Sequence, residues 1–174
     1  LLERSPDAAP MLFNLGSDGS GASAIHVARG GCRRTAADAA AHLEMRGVDV
    51  LQYSLKSVAP NVTELLSFAE LDVDAPDYYV LHQANKILNS MLLRKLGVPA
   101  NKAPESLYEF GNTSVATIPL TICHRLRASV RQDPATLLLS GFGAGFSWGS
   151  ALIRTTALQC HGPIEISGEH GTPA

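Results

Sequence analysis

The 174 residues are 45% hydrophobic and 17% charged, a globular composition with enough apolar material for one domain or half of a larger one. A formal net charge of −2 and a pI near 6.3 leave no global basic footprint, which argues against bulk attraction to nucleic acid or to an anionic membrane. The three cysteines, Cys32, Cys123 and Cys160, form no CxxC pair and signal neither a disulfide framework nor zinc.

In chain order, "MLFNLGSDGSGASAIHV" reads as a strand, a glycine-rich turn and a second strand in which Ala22, Ser23 and Ala24 allow close backbone approach; Asp18 in the turn reads as structural. Between Arg29 and Gly47 the Ala-rich, charged pattern has no strong period and is assigned to loop and short helix. From Pro60 to Leu71, Val62, Leu65, Leu66 and Ala69 keep helical spacing, with Pro60-Asn61 as the start signal. Tyr78 to Leu81 is a short buried strand whose end delivers His82. A helix follows at once, with Ala84, Ile87, Leu88, Met91, Leu92 and Leu96 as its buried stripe and Gly97 as its stop.

A second junction lies in "YEFGNTSVATIPLTICHRL". Gly111 permits a tight approach, Asn112, Thr113 and Ser114 are cap-type residues, and Pro119 is tolerated near the first turn. Val115, Ile118, Ile122, Leu126 and Val130 mark the buried stripe of the helix they open. "ATLLLSGFGAGFSWGSALIR" is an apolar strand, a glycine turn and a returning strand from Phe146 to Ile153, a unit like the first one in the chain. The expected organisation is a lead-in over 1–11, one domain over 12–154 and a polar, partly disordered tail over 155–174. Strands alternating with helices make this an α/β layered architecture. No run reaches the roughly 18 apolar residues of a membrane span, and LLERSPDAAP lacks the basic-then-apolar order of a signal peptide. The expected setting is soluble and cytoplasmic, with reduced thiols.

The chemistry concentrates at the junctions. A histidine and an asparagine held at a strand end and a helix start are paired donors of the kind that polarise one carbonyl oxygen, and backbone N–H groups in the turn Phe142-Gly143-Ala144-Gly145 can complete an oxyanion hole for a thioester intermediate. Such a set requires a nucleophile. Each residue also has a plainer reading. His82 can be satisfied by backbone, Asn112 can be a helix cap, the glycines can serve only a turn, and Lys86, Arg94 and Lys95 can be a solvated helix face. Met91 and Leu92 read as core.

"HQAN" (82–85), "GNTS" (111–114) and "GFGAGFSWGSALIR" (141–154), in this order, resemble the C-terminal half of β-ketoacyl-ACP synthase III, a condensing enzyme of thiolase fold. The likeness runs from about Leu12 to Arg154 and takes in "SDGSGAS". It implies a thiolase-like layered half with a mixed five-stranded sheet and helices. It also implies a Cys-His-Asn triad, in which a cysteine takes an acyl group from a CoA thioester and condenses it with malonyl-ACP as CO2 leaves, in fatty acid or polyketide-like biosynthesis. His82 and Asn112 match the last two members. By the same resemblance Gly143 supplies an oxyanion N–H, Phe142 packs beside the nucleophile and Asn85 braces the loop that holds His82. Lys86, Arg94 and Lys95 are candidates to meet an acidic carrier protein or the CoA phosphates. Acyl carrier protein, a CoA thioester, an N-terminal half and a homodimeric assembly are the implied partners; no cofactor and no metal is implied.

The family's nucleophile lies in a half that this sequence lacks, and none of Cys32, Cys123 and Cys160 has the setting of a reactive thiol. The chain alone is therefore expected to be inactive. Two alternatives stay open: a non-catalytic half that serves as an interaction partner, and an acyltransferase that uses an alcohol or amine acceptor. A half of such a fold should leave apolar helix surface bare, on the helix beginning at Asn112 or at Ala84.

Overall fold

The computed structural model describes residues 9–27 and 42–164. Two apolar runs, Tyr78–Leu81 (β4) and Ala135–Gly143 (β5), pair in parallel on one side of a four-stranded sheet, with β4 at its edge. Ser147–Thr155 (β6) returns antiparallel to β5, and Leu12–Ser17 (β1) lies antiparallel on β6, so the order is β1-β6-β5-β4. The sheet is mixed, as expected, but carries four strands among the described residues. Ile25–Val27 (β2) and Leu43–Met45 (β3) pair separately as a two-stranded ribbon.

The first unit of the chain is therefore no hairpin like the β5–β6 pair. Gly19–Ala24, including the small residues Ala22, Ser23 and Ala24, winds as a 3-10 helix capped by the Asp18 carboxylate, which accepts from the Ser20 N–H at 2.9 Å and the Ser20 hydroxyl at 2.6 Å. These bonds hold the Asp18 pKa below the usual carboxylate value. Asp18 is the structural residue that its turn suggests: its backbone exchanges hydrogen bonds with Phe146 in both directions.

Strand alternation sends successive side chains to opposite faces, and the two faces are covered by different helices. On one face, Tyr79, Leu138 and Leu152 pack with Val62, Leu65 and Leu66 of a long helix, Gly47–Phe68 (α1). Leu81 packs beside them with Val58 and Ala59 of α1 and with Leu88 and Leu92 of Lys86–Leu96 (α2). On the other face, Val80 and Leu137 meet Ile122, Leu126 and Val130. These last belong to one helical run: a 3-10 turn at Ser114–Ala116, Thr117–Thr121 (α4), a π segment at Ile122–Leu126 and Arg127–Gln132 (α5). A one-turn helix, Leu107–Phe110 (α3), precedes it. The result is a helix-sheet-helix sandwich built on β4 and β5.

Four boundaries differ from the sequence reading. α1 begins at Gly47, and Pro60 lies inside it on the exposed side instead of starting it. Leu51, Leu55 and Val58 extend the apolar face N-terminally, and burial of that face outweighs the hydrogen bond that proline cannot donate. The region from Arg29 to Gly47 ends in a strand, β3, whose side chains are all exposed and so leave no alternation to read; the rest of it, with Cys32, lies outside the described residues. β6 starts at Ser147 and extends to Thr155. The tail is not free up to residue 164, because Cys160 is buried against Val130 and Leu126, and Leu158 N–H donates to the Val130 carbonyl at 2.7 Å.

Two stripes are narrower than their spacing suggests. α2 buries Leu88, Asn89 and Leu92 but leaves Ile87 at 70% and Met91 at 37% exposure, so Met91 is not core. Val115, expected in the stripe of the second helical run, is 93% exposed. Among the described residues no helix is long and apolar enough to cross a membrane.

Candidate active site

Parallel pairing brings the C-terminal ends of β4 and β5 to the same edge of the sheet, the usual place for a site in open α/β sheets. Leu81 stands opposite Ser140, and the next residue, His82, donates its N–H to the Ser140 carbonyl at 2.8 Å. Continuing β5 by two residues places Phe142 beside the imidazole. The two rings meet edge to face, with centroids 5.3 Å apart and an interplanar angle of 80°.

The chain after His82 turns sharply into α2. Ala84 N–H donates to the His82 carbonyl at 2.9 Å, and the Asn85 side chain accepts from Leu88 N–H at 2.9 Å as the N-cap. Asn85 thus holds the start of α2, immediately after the histidine turn. Gln83, 1% exposed, donates to the Leu81 carbonyl at 2.8 Å and accepts from Ser106 N–H at 3.2 Å, which ties the same turn to the segment before α3. At the far end Gly97, at φ 73°, closes α2 in the left-handed conformation.

The second junction comes in from the opposite face. Gly111, at φ 63° and ψ −156°, occupies backbone space open essentially to glycine alone, and Ser114 is left-handed at φ 55°. Asn112 Oδ1 accepts from Ser114 N–H at 2.9 Å, and Nδ2 makes a long 3.4 Å contact with the Ala84 carbonyl. Asn112 therefore closes a turn one residue before the cap position, which Thr113 occupies, so it is not the helix cap of its plainer reading, and it also touches the backbone of the His82 turn. Among the described residues its amide N–H2 makes no second hydrogen bond.

A residue missed in the sequence joins the two junctions. Thr117, 1% exposed, places its hydroxyl 2.6 Å from Nδ1 of His82 and 3.0 Å from the Ser114 carbonyl. The only signal available beforehand was a hydroxyl at a helical position that had to face the sheet. Burial lowers the His82 pKa below the ordinary imidazole value, which favours the neutral ring.

The other candidates separate. Gly143 pairs with Ser147 at the end of the β5–β6 ladder. Lys86 and Arg94 are exposed on α2 and line one groove with Glu105 and Arg125. Lys95 instead donates to the Leu55 carbonyl at 2.7 Å, fastening α2 to α1. Cys160 lies in the core below the π segment; burial first, then a hydrogen bond with the Cys123 thiol, pushes its pKa up to about 11, the opposite of an activated nucleophile. Among the described residues no group of three or more His, Cys, Asp or Glu side chains is placed to hold a metal ion.

Residues 66–155, which contain all three motifs, match the family described as the C-terminal part of 3-oxoacyl-[acyl-carrier-protein] synthase III. The chain belongs to that family. Similar curated proteins are the β-ketoacyl-[acyl-carrier-protein] synthases III of Streptococcus suis, 35% identical over 114 residues (64% of this chain, 35% of the relative), and of Streptococcus pneumoniae, 32% identical over 158 residues (88% and 49%). Among solved structures, the 3-oxoacyl-(acyl-carrier protein) synthase of Burkholderia xenovorans is similar with a TM-score of 0.85 and 33% identity, over 94% of this chain and 49% of that one. The chain thus spans half or less of the length of the synthase III relatives it matches. Its fold is the thiolase-like fold of these synthases, in its C-terminal part.

Proposed function

We propose that this chain is the His- and Asn-bearing half of a β-ketoacyl-ACP synthase III. The supporting observation is the meeting of His82, Phe142 and the Asn112 turn at the C-terminal ends of β4 and β5. In this reading a second half supplies a cysteine thiolate. It attacks the carbonyl of an acyl-CoA, and the CoA thiolate leaves. Malonyl-ACP then enters and loses CO2, and the electron pair of the broken C–C bond moves into the thioester to form an enolate. His82 and Asn112 donate hydrogen bonds to the enolate oxygen. The enolate carbon attacks the acyl-cysteine carbonyl, Gly143 N–H holds the tetrahedral oxyanion, and collapse returns the thiolate and releases β-ketoacyl-ACP. Phe142 keeps water from one side of the imidazole, and Lys86 and Arg94 meet the acidic carrier or the CoA phosphates.

The test is a pair of assays on the assembled protein: acylation of its thiol by acetyl-CoA, read by intact mass, and condensation with malonyl-ACP. His82→Ala and Asn112→Ala should each lower condensation by about 10²- to 10³-fold, the usual effect of losing one such donor, and leave acylation standing. Condensation at the parental rate in both variants would overturn the assignment. A preparation in which no thiol is acylated would support the non-catalytic reading, and transfer to an alcohol or amine in place of malonyl-ACP would support the alternative acceptor.

A further inference from the structure

After β6 the chain bends at Thr156 and Ala157 and then runs beside the second helical run with alternating side chains. Leu158 and Cys160 face the protein, while Gln159 and His161 are exposed, the two-residue period of an extended segment. Leu158 N–H donates to the Val130 carbonyl at 2.7 Å, which fixes the start of this segment on α5. Cys123, in the π segment, lies seven residues before Val130, about two helical turns away. It packs half-buried against the same apolar cluster that buries Cys160. The two thiols are free and in hydrogen-bonding contact. The Cys160 thiol also points toward the His161 carbonyl, but at 3.9 Å that bond is too weak to hold it away from Cys123.

We propose that Cys123 and Cys160 are a redox-convertible pair: a small disulfide of the glutathione kind oxidises them to one intramolecular disulfide, which fastens the segment after β6 to the helical run. This site is separate from the donors His82 and Asn112 and does not rest on their roles.

The more accessible partner reacts first. Cys123, as its thiolate, attacks one sulfur of the glutathione disulfide, whose S–S bond breaks as one glutathione thiolate leaves. Cys160 then attacks the Cys123 sulfur of the mixed disulfide, and the second glutathione thiolate leaves. The two cysteines give up two electrons and two protons, which end in two molecules of reduced glutathione. Burial and the Cys123 thiol hold Cys160 protonated, whereas the Arg127 and Arg131 cations favour its thiolate. Capping Cys123 removes the opposing thiol and leaves the two arginines in place for the closing step.

The experiment treats the intact protein with oxidised glutathione, blocks the remaining thiols under denaturing conditions and maps the non-reduced peptides by mass, with urea titrations of the oxidised and reduced forms alongside. The peptide with Cys123 should be joined to the peptide with Cys160. The urea midpoint should shift upward in the oxidised form, because the link restricts the unfolded chain, and reductant should reverse both changes. Cys160→Ser should stop at glutathione on Cys123, and Cys123→Ser should leave Cys160 unmodified. A parent that keeps both thiols or stops at the mixed disulfide, a link from either cysteine to Cys32 or another thiol, or an oxidised midpoint no higher than the reduced one would overturn the proposal.

Discussion

The two junctions that carry the candidate residues differ in how much of their surroundings this chain supplies. His82 is held by Ser140 behind, Phe142 beside, Thr117 at one nitrogen and Asn85 just downstream. Around Asn112 the bonds are local or long, and the neighbouring apolar side chains are bare: Tyr108 is 98% and Val115 93% exposed. β1 repeats the pattern, with Phe13 and Leu15 exposed on the side away from the bonds that Asn14 makes to Asn61 and Glu64. An intact hydrogen-bonded frame beside an uncovered apolar one teaches which side of the site this chain builds and which side a second unit of protein would complete.

That contrast can be broken by substitution. The largest effect is expected at Leu92, fully buried between α1 and α2. Leu92→Ala should lower unfolding free energy by about 2–5 kcal/mol, read as a fall in the urea midpoint. Asn85→Ala removes the α2 cap and should cost about 1 kcal/mol in the same titration. The pH dependence probes the same junction. A histidine whose pKa is lowered by folding favours the neutral form in the native state, so its contribution is complete above the unfolded value of about 6.5 and is lost as pH falls through the folded value. Stability should decline on the acid side of about pH 6.5, and His82→Gln should flatten that decline; a parental slope in the variant would remove His82 from the account. The smallest effect is expected on the other side: Val115→Ser should change stability by no more than about 0.5 kcal/mol. If it costs as much as Leu92→Ala, the bare side is not bare in the protein as tested.

The sequence was most readable where one physical cause dominates. β4 runs over Tyr78–Leu81 as expected because its apolar run is buried on both faces, and α2 stops at Gly97 because the left-handed cap is written in one residue. The His82 junction followed from these two. α1 was misread because proline is normally a boundary, and only packing against β4 and β5 reveals that the helix passes through Pro60. Spacing alone put Ile87, Met91 and Val115 inside, since periodicity defines a face and cannot say whether anything covers it. Leu158 and Cys160 are tied down by a single backbone bond and a few contacts, too little to leave a pattern. Thr117 was invisible for a related reason: a threonine in a helix becomes important only when another segment brings an imidazole to it.

The pairing of β1 with β6 carries a consequence for how the chain assembles. Leu12 stands opposite Leu152, so the first described strand finds its partner in the last one. Contacts this distant along the chain slow folding, because a long loop must close before they form. During synthesis β1 emerges long before β6 exists, and its exposed Phe13 and Leu15 travel unpaired until β6 has been made. The β5–β6 hairpin, by contrast, can form on its own short turn, so the edge of the sheet farthest from the site is the part of the molecule that must wait longest.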